Sequence, residues 1–178
     1  MRKLKLEELN RIDIPTYKEV EKTPLVFVLD NLRSGHNVGA AFRSSDAFCT
    51  KELLLCGITA QPPHRDIQKS ALGATASVDW RYFEETTDAV ISLKEEGYKV
   101  FAVEQVSNPI LLHEFEVEID SKYALVMGNE VEGVQSKVIE LCDGVIEIPQ
   151  FGTKHSFNVS VTMGIVGWEL IRKLRLEK

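Results

Sequence analysis

Three polar segments of this 178-residue chain concentrate the residue types that hold and orient a ligand. Ser34-Gly35-His36-Asn37-Val38-Gly39-Ala40-Ala41-Phe42-Arg43 combines small residues with an amide and a guanidinium. Met127-Gly128-Asn129-Glu130-Val131-Glu132-Gly133 sets two carboxylates between glycines. Ile148-Pro149-Gln150-Phe151-Gly152-Thr153-Lys154-His155-Ser156-Phe157-Asn158-Val159-Ser160 adds a cation, an imidazole, hydroxyls and two amides. In each, glycine or small residues let a ligand approach the main chain. Polar side chains stand beside them to orient it. All three follow apolar runs that read as strands, and open α/β sheets bind ligands at the carboxyl ends of their strands.

Other chemistries lack their sequence signatures. There is no GxxxxGK[ST] phosphate loop, no GxSxG elbow after a strand and no GxGxxG opening a helix. His36, His64, His113 and His155 are scattered and do not pair with cysteines at zinc-ligand spacing, so no metal site is expected.

The elements that must carry these segments follow from hydrophobic period. Short β-branched runs alternate with stretches of helical period from Thr23 onward, which predicts an α/β domain with a mainly parallel sheet and helices on both faces. Expected strands are Leu25–Leu29, apolar on both faces, then Leu53–Ile58, Trp80–Phe83, Tyr98–Val103, Tyr123–Met127 and Val145–Ile148. Asp30–His36 reads as a loop, with Asn37 capping a helix over Val38–Phe48. Further helices are expected before Gly73, over Asp88–Glu96, around Gln135–Cys142 and over Asn158–Leu176. Residues 1–22 are polar and read as a short N-terminal extension to a domain over 23–178.

Composition narrows the setting. The chain is 44% hydrophobic and 27% charged, which excludes a disordered chain or a fibre. Its net charge of -6 excludes a uniformly basic nucleic-acid coat, yet the region of the first segment and the C-terminal part from Ile148 are each net basic. Three cysteines, Cys49, Cys56 and Cys142, form no CxxC pair and fit a reducing, cytoplasmic protein. The charged N-terminus does not read as a secretory signal, and no apolar run reaches membrane-spanning length.

The three segments together resemble the motifs of the SpoU, or TrmH, branch of the SPOUT RNA methyltransferases. Asn37 and Arg43 match its N-x-G-A-x-x-R motif; Gly128, Glu130 and Gly133 match G-x-E-x-x-G; and Ile148, Pro149, Ser156, Phe157, Asn158, Val159 and Ser160 match the third, from I-P to S-[hydrophobic]-N-V-S. Phe157 where leucine is commoner and Gln150 where methionine often follows the proline are mild departures.

The resemblance implies a SPOUT-type fold with a deep C-terminal trefoil knot. It implies transfer of the methyl group of S-adenosylmethionine to a ribose 2'-hydroxyl in tRNA or rRNA, by a homodimer. The cofactor is then expected at Gly128, Ile148 and Phe157, and the catalytic set is Asn37, Arg43, Glu130, Ser156 and Asn158. Because a guanidinium stays protonated, Arg43 is expected to orient and stabilise, while a phosphate or a water takes the hydroxyl proton. Glu130 is expected to pair with Arg43 or a helix N-terminus, and Asn158 to bond loop or substrate or to cap the last helix. His64, Arg65, Lys69, Arg33 and Lys51 are candidate phosphate contacts. The alternative is a non-catalytic RNA- or cofactor-binding protein on the same fold.

Overall fold

The first strand is buried on both faces, as its uniform apolarity requires. In the computed structural model, which describes residues 1–177, β1 spans Thr23–Asp30. Leu25, Phe27 and Leu29 face one core; Val26 and Val28 face the other. The period of two along a strand delivers alternate residues to opposite sides, so a strand covered twice must be apolar throughout.

The other strands are β2 Thr50–Cys56, β3 Trp80–Phe83, β4 Tyr98–Val103, β5 Ile110–Leu111, β6 Lys122–Met127 and β7 Gly144–Glu147. They form one parallel sheet in the order β3-β2-β1-β6-β4-β7-β5. Leu29 and Val103 both stand beside Met127 in register, so the loops leaving β1, β4 and β6 emerge together at one edge. The strand β7 lies between β4 and β5. The connection 104–109 therefore has to cross β7 to reach β5.

The helices are α1 Ile14–Glu19, α2 Gly35–Phe48, α3 Arg65–Ala71, α4 Ala74–Ser77, α5 Thr86–Glu95, α6 Ser136–Ile139 and α7 Val159–Ile171, the last continued by a π-helical turn at Arg172–Leu176. One core takes Val38 and Phe42 from α2 and Val166 and Leu170 from α7; the opposite core takes Ala89, Val90 and Leu93 from α5 and Val138 from α6. Tyr17 of α1 is buried and donates to the Ser45 carbonyl, docking residues before β1 onto α2.

Several sequence boundaries shift. The helix expected from Val38 begins at Gly35, and its cap is Ser34, whose hydroxyl accepts from the Asn37 amide. The helix expected around Gln135–Cys142 is a single turn, and Ile148 lies just beyond β7. Asp30 explains much of how the edge is held. This fully buried carboxylate accepts from the Asn31 and Gln135 side chains, the Thr86 hydroxyl and the Gln135 amide, tying β1 to the start of α5 and to the segment before α6.

Candidate functional site

Loops after β4, β6 and β7 enclose a cavity of about 460 Å³ at the carboxyl edge of the sheet. Its size falls within the roughly 300–1,000 Å³ typical of small-molecule sites. Met127, Val103 and Ile146 make an apolar floor from three strand ends, and Ile148 and Phe157 supply further apolar wall. Gly128, Glu130, Ser156 and Asn158 also line it, so the second and third sequence segments converge.

The turn after β6 is locked by its own residues. Asn129 and Gly133 exchange backbone hydrogen bonds, while Asn129 Oδ1 accepts from the amides of Val131 and Glu132. Gly133 takes a left-handed φ of +69°. A Cβ on Gly128 would stand 2.1 Å from the Gly133 carbonyl carbon and 2.2 Å from the Val134 nitrogen. The two glycines thus allow the turn to fold back against the strand end.

Glu130 fastens this turn to α2. Its carboxylate accepts from the amides of Arg33 (3.1 Å) and Ser34 (3.2 Å) and from Asn37 Nδ2 (2.7 Å). Asn158 Nδ2 donates to Asn37 Oδ1 at 3.3 Å, while Asn158 Oδ1 caps α7 by accepting from the Ser160 amide. One relay, Glu130 to Asn37 to Asn158, joins all three segments. Of the partners expected for Glu130, the helix N-terminus is the one it meets; among the described residues no hydrogen bond or ion pair joins it to Arg43.

Burial pushes the Glu130 carboxyl up, but the Asn37 side chain and the Arg33 and Ser34 amides outweigh it, leaving the group below the ordinary carboxylate range. A depressed folded value stabilises the protein above the unfolded value, about 4.3 for glutamate, and that contribution is lost as the pH falls through the folded value. Glu130→Gln is expected to flatten this acid limb, read as a smaller difference in urea midpoint between neutral pH and about pH 3.5.

Arg43 stands apart. It is exposed on α2, about 9 Å along the helix axis from Asn37, does not line the cavity and has no hydrogen-bond or ion-pair partner among the described residues. Arg33, His64, Arg65 and Lys69 are exposed near this edge, whereas Lys51 is the second residue of β2, at the opposite end of the strand, about 17 Å away. Lys51 therefore does not join the others.

Two cavity-lining positions are not signalled by the three sequence segments. Glu104 lines the cavity and accepts from the Val134 and Gln105 amides, and Gln105 Nε2 donates to the His155 carbonyl at 2.5 Å. A charged residue directly after the apolar run of β4 was the available signal. Thiol nucleophiles are not at hand in the core, since burial pushes both Cys56 and Cys142 up to about 12. Among the described residues no group of three or more metal-ligating side chains occurs, and no helix is long and apolar enough to cross a membrane.

An open parallel sheet with a glycine-lined cavity at its carboxyl edge, walled by the segment after its last-made strand, defines an α/β domain of small-molecule-binding type. Residues 24–168 match the SpoU rRNA methylase family, and the chain belongs to that family. It is 30% identical over 168 residues to the 23S rRNA (guanosine-2'-O-)-methyltransferase RlmB of Vibrio parahaemolyticus, covering 94% of this chain and 66% of that protein. The chain thus spans about two thirds of the length of that curated relative. Among solved structures it is similar to the TrmH/SpoU tRNA modifying enzyme of A. aeolicus, with a TM-score of 0.78 and 25% identity over 90% of this chain and 79% of that one. The AdoMet-bound rRNA methyltransferase of Sinorhizobium meliloti shares the fold, with a TM-score of 0.78 and 21% identity over 88% of this chain and 59% of that one.

Proposed function

We propose that the chain is an S-adenosylmethionine-dependent methyltransferase acting on the 2'-hydroxyl of a ribose in tRNA or rRNA. The observation that carries this is the convergence of Gly128, Ile148 and Phe157 on one cavity, closed by the relay from Glu130 to Asn158, in a member of the SpoU family. The cavity fits such a cofactor: the apolar side chains of Val103, Met127, Ile146 and Ile148 suit an adenine face, and Glu104, Glu132 and Glu147 in its lining give it the negative charge that suits a cationic sulfonium. When bound, the sulfonium supplies an already activated methyl group.

The chain's own residues then position and exclude. Glu130 and Asn37 fix the start of α2, and Asn158 fixes the start of α7, so the cavity mouth between them is preorganised. Both Glu130 oxygens are occupied by donors, which makes it a positioning residue rather than a base. Ser156 at the rim can orient a hydroxyl, and the proton leaves to an RNA phosphate or water.

Arg43 lies outside this cavity and reaches the reacting ribose only where a second subunit brings RNA or its own cavity against α2. A homodimer is supported by the exposed apolar face of α7, where Trp168 is 52% exposed and Val161, two turns earlier on the same face, is exposed as well. The crossing of β7 by 104–109, with Gln105 bonded to His155 beyond β7, supports the trefoil knot.

Calorimetric titration with S-adenosylmethionine, tritium transfer to bulk tRNA and rRNA, and light scattering test this. Wild type is expected to bind the cofactor, transfer methyl groups and run as a dimer. Arg43→Ala is expected to bind the cofactor normally and lose about a hundredfold or more of the transfer rate, as removal of one electrostatic stabiliser typically does. Cofactor binding without transfer by wild type would instead mean a non-catalytic module.

A further inference from the structure

The loop after β7 carries an aromatic that neither the cavity nor the core accounts for. Phe151 is 97% exposed, between Gln150, which lines the cavity, and His155, whose carbonyl is held by Gln105. The tip 151–154 therefore projects from the cavity rim, tied down at His155. Single exposed apolar residues are ordinary, but here exposure is grouped. Val131 and Phe157, both exposed, line the same cavity as Gln150, the neighbour of Phe151, so exposed apolar residues lie on the loops around it. The tip is also cationic within an acidic chain, since Phe151-Gly152-Thr153-Lys154-His155 holds no carboxylate and Lys154 has no ion-pair partner among the described residues.

We propose that this tip is a nucleobase platform, with Phe151 stacked on a base of the substrate RNA and Lys154 against its phosphate. The inference rests on the methyltransferase reading above, because a ribose delivered to the cavity mouth brings its own base or a neighbour over the rim. Unstacked RNA bases are held on aromatic faces, and stacking tolerates any base because each has a π-face. The apolar aromatic supplies that face and the lysine supplies the charge complement.

Filter binding of bulk bacterial tRNA and rRNA by wild type, Phe151→Ala and Phe151→Trp tests the platform. Phe151→Ala is expected to weaken RNA binding about tenfold, within the range seen for lost base–aromatic stacks. Phe151→Trp is expected to retain it and to show RNA-dependent quenching of indole emission beyond that of Trp80 and Trp168. Cofactor affinity and molecular mass are expected to be the same in all three. RNA binding by Phe151→Ala equal to wild type overturns the proposal. So does a fall of that variant to monomeric mass, which makes a second copy the cover, or an equal loss of cofactor affinity, which places Phe151 in the cofactor pocket. Wild type that binds the cofactor but neither RNA overturns both readings; RNA binding that depends on Phe151 without methyl transfer leaves the platform standing and removes the catalytic reading.

Discussion

Gly128→Ala is expected to lower the affinity for S-adenosylmethionine by about a hundredfold, or about 2.8 kcal/mol, with the fold retained. The new Cβ would meet main-chain atoms of Gly133 and Val134 at 2.1 and 2.2 Å, and backbone cannot turn aside as a flexible side chain can. The turn 128–134 must move, and it is the turn that carries Glu130. Displacing it pulls Glu130 from the amides of Arg33 and Ser34 and distorts one cavity wall. Gly152→Ala is the control, because a Cβ there meets nothing within 4 Å. Titration calorimetry of both variants, with circular dichroism to verify folding, separates a wall effect from general damage. Equal affinities for Gly128→Ala and wild type would show that this wall does not touch the cofactor.

Asp30→Ala is expected to cost about 3–4 kcal/mol of stability, the largest effect among single polar substitutions here. Four donors converge on that carboxylate, and its removal leaves the Gln135 amide and the Thr86 hydroxyl without their acceptor in a buried site. Hydrogen bonds to a charged acceptor exceed neutral ones, and orphaned buried donors carry a desolvation cost. Asp30→Asn keeps the volume but turns a donor toward donors, so an intermediate loss is expected. Urea midpoints at fixed pH rank the three proteins; an alanine variant as stable as wild type would mean that water replaces the carboxylate.

The parallel sheet was legible because Leu25–Leu29 and Tyr123–Met127 are apolar on both faces, a pattern that only double coverage rewards. The cavity was legible because glycines and amides cluster after those runs. The start of α2 was not. Gly35 is a poor helix former, so the first turn read as loop, and Ser34 and Asn37 are both good caps. Only the tertiary partner Glu130, far along the chain, decides between them, since it engages Asn37 and leaves the cap to Ser34. The two-residue β5 was equally hidden: Ile110 and Leu111 are strand only because β7 lies beside them. Arg43 was legible as a residue type but not as a location, because which face of α2 meets the cavity loops is set by tertiary packing, and Arg43 does not line the cavity.

The insertion of β7 between β4 and β5 has a consequence for the order of events during folding. The cavity has no wall beyond β4 until β7 is seated, and its mouth has no far side until residues 148–158 have followed. Both pairings of β7 need residues 144–147, which come late in the chain. During synthesis, the cavity therefore matures only once most of the chain has emerged, and an immature sheet presents β4 as an open edge until then.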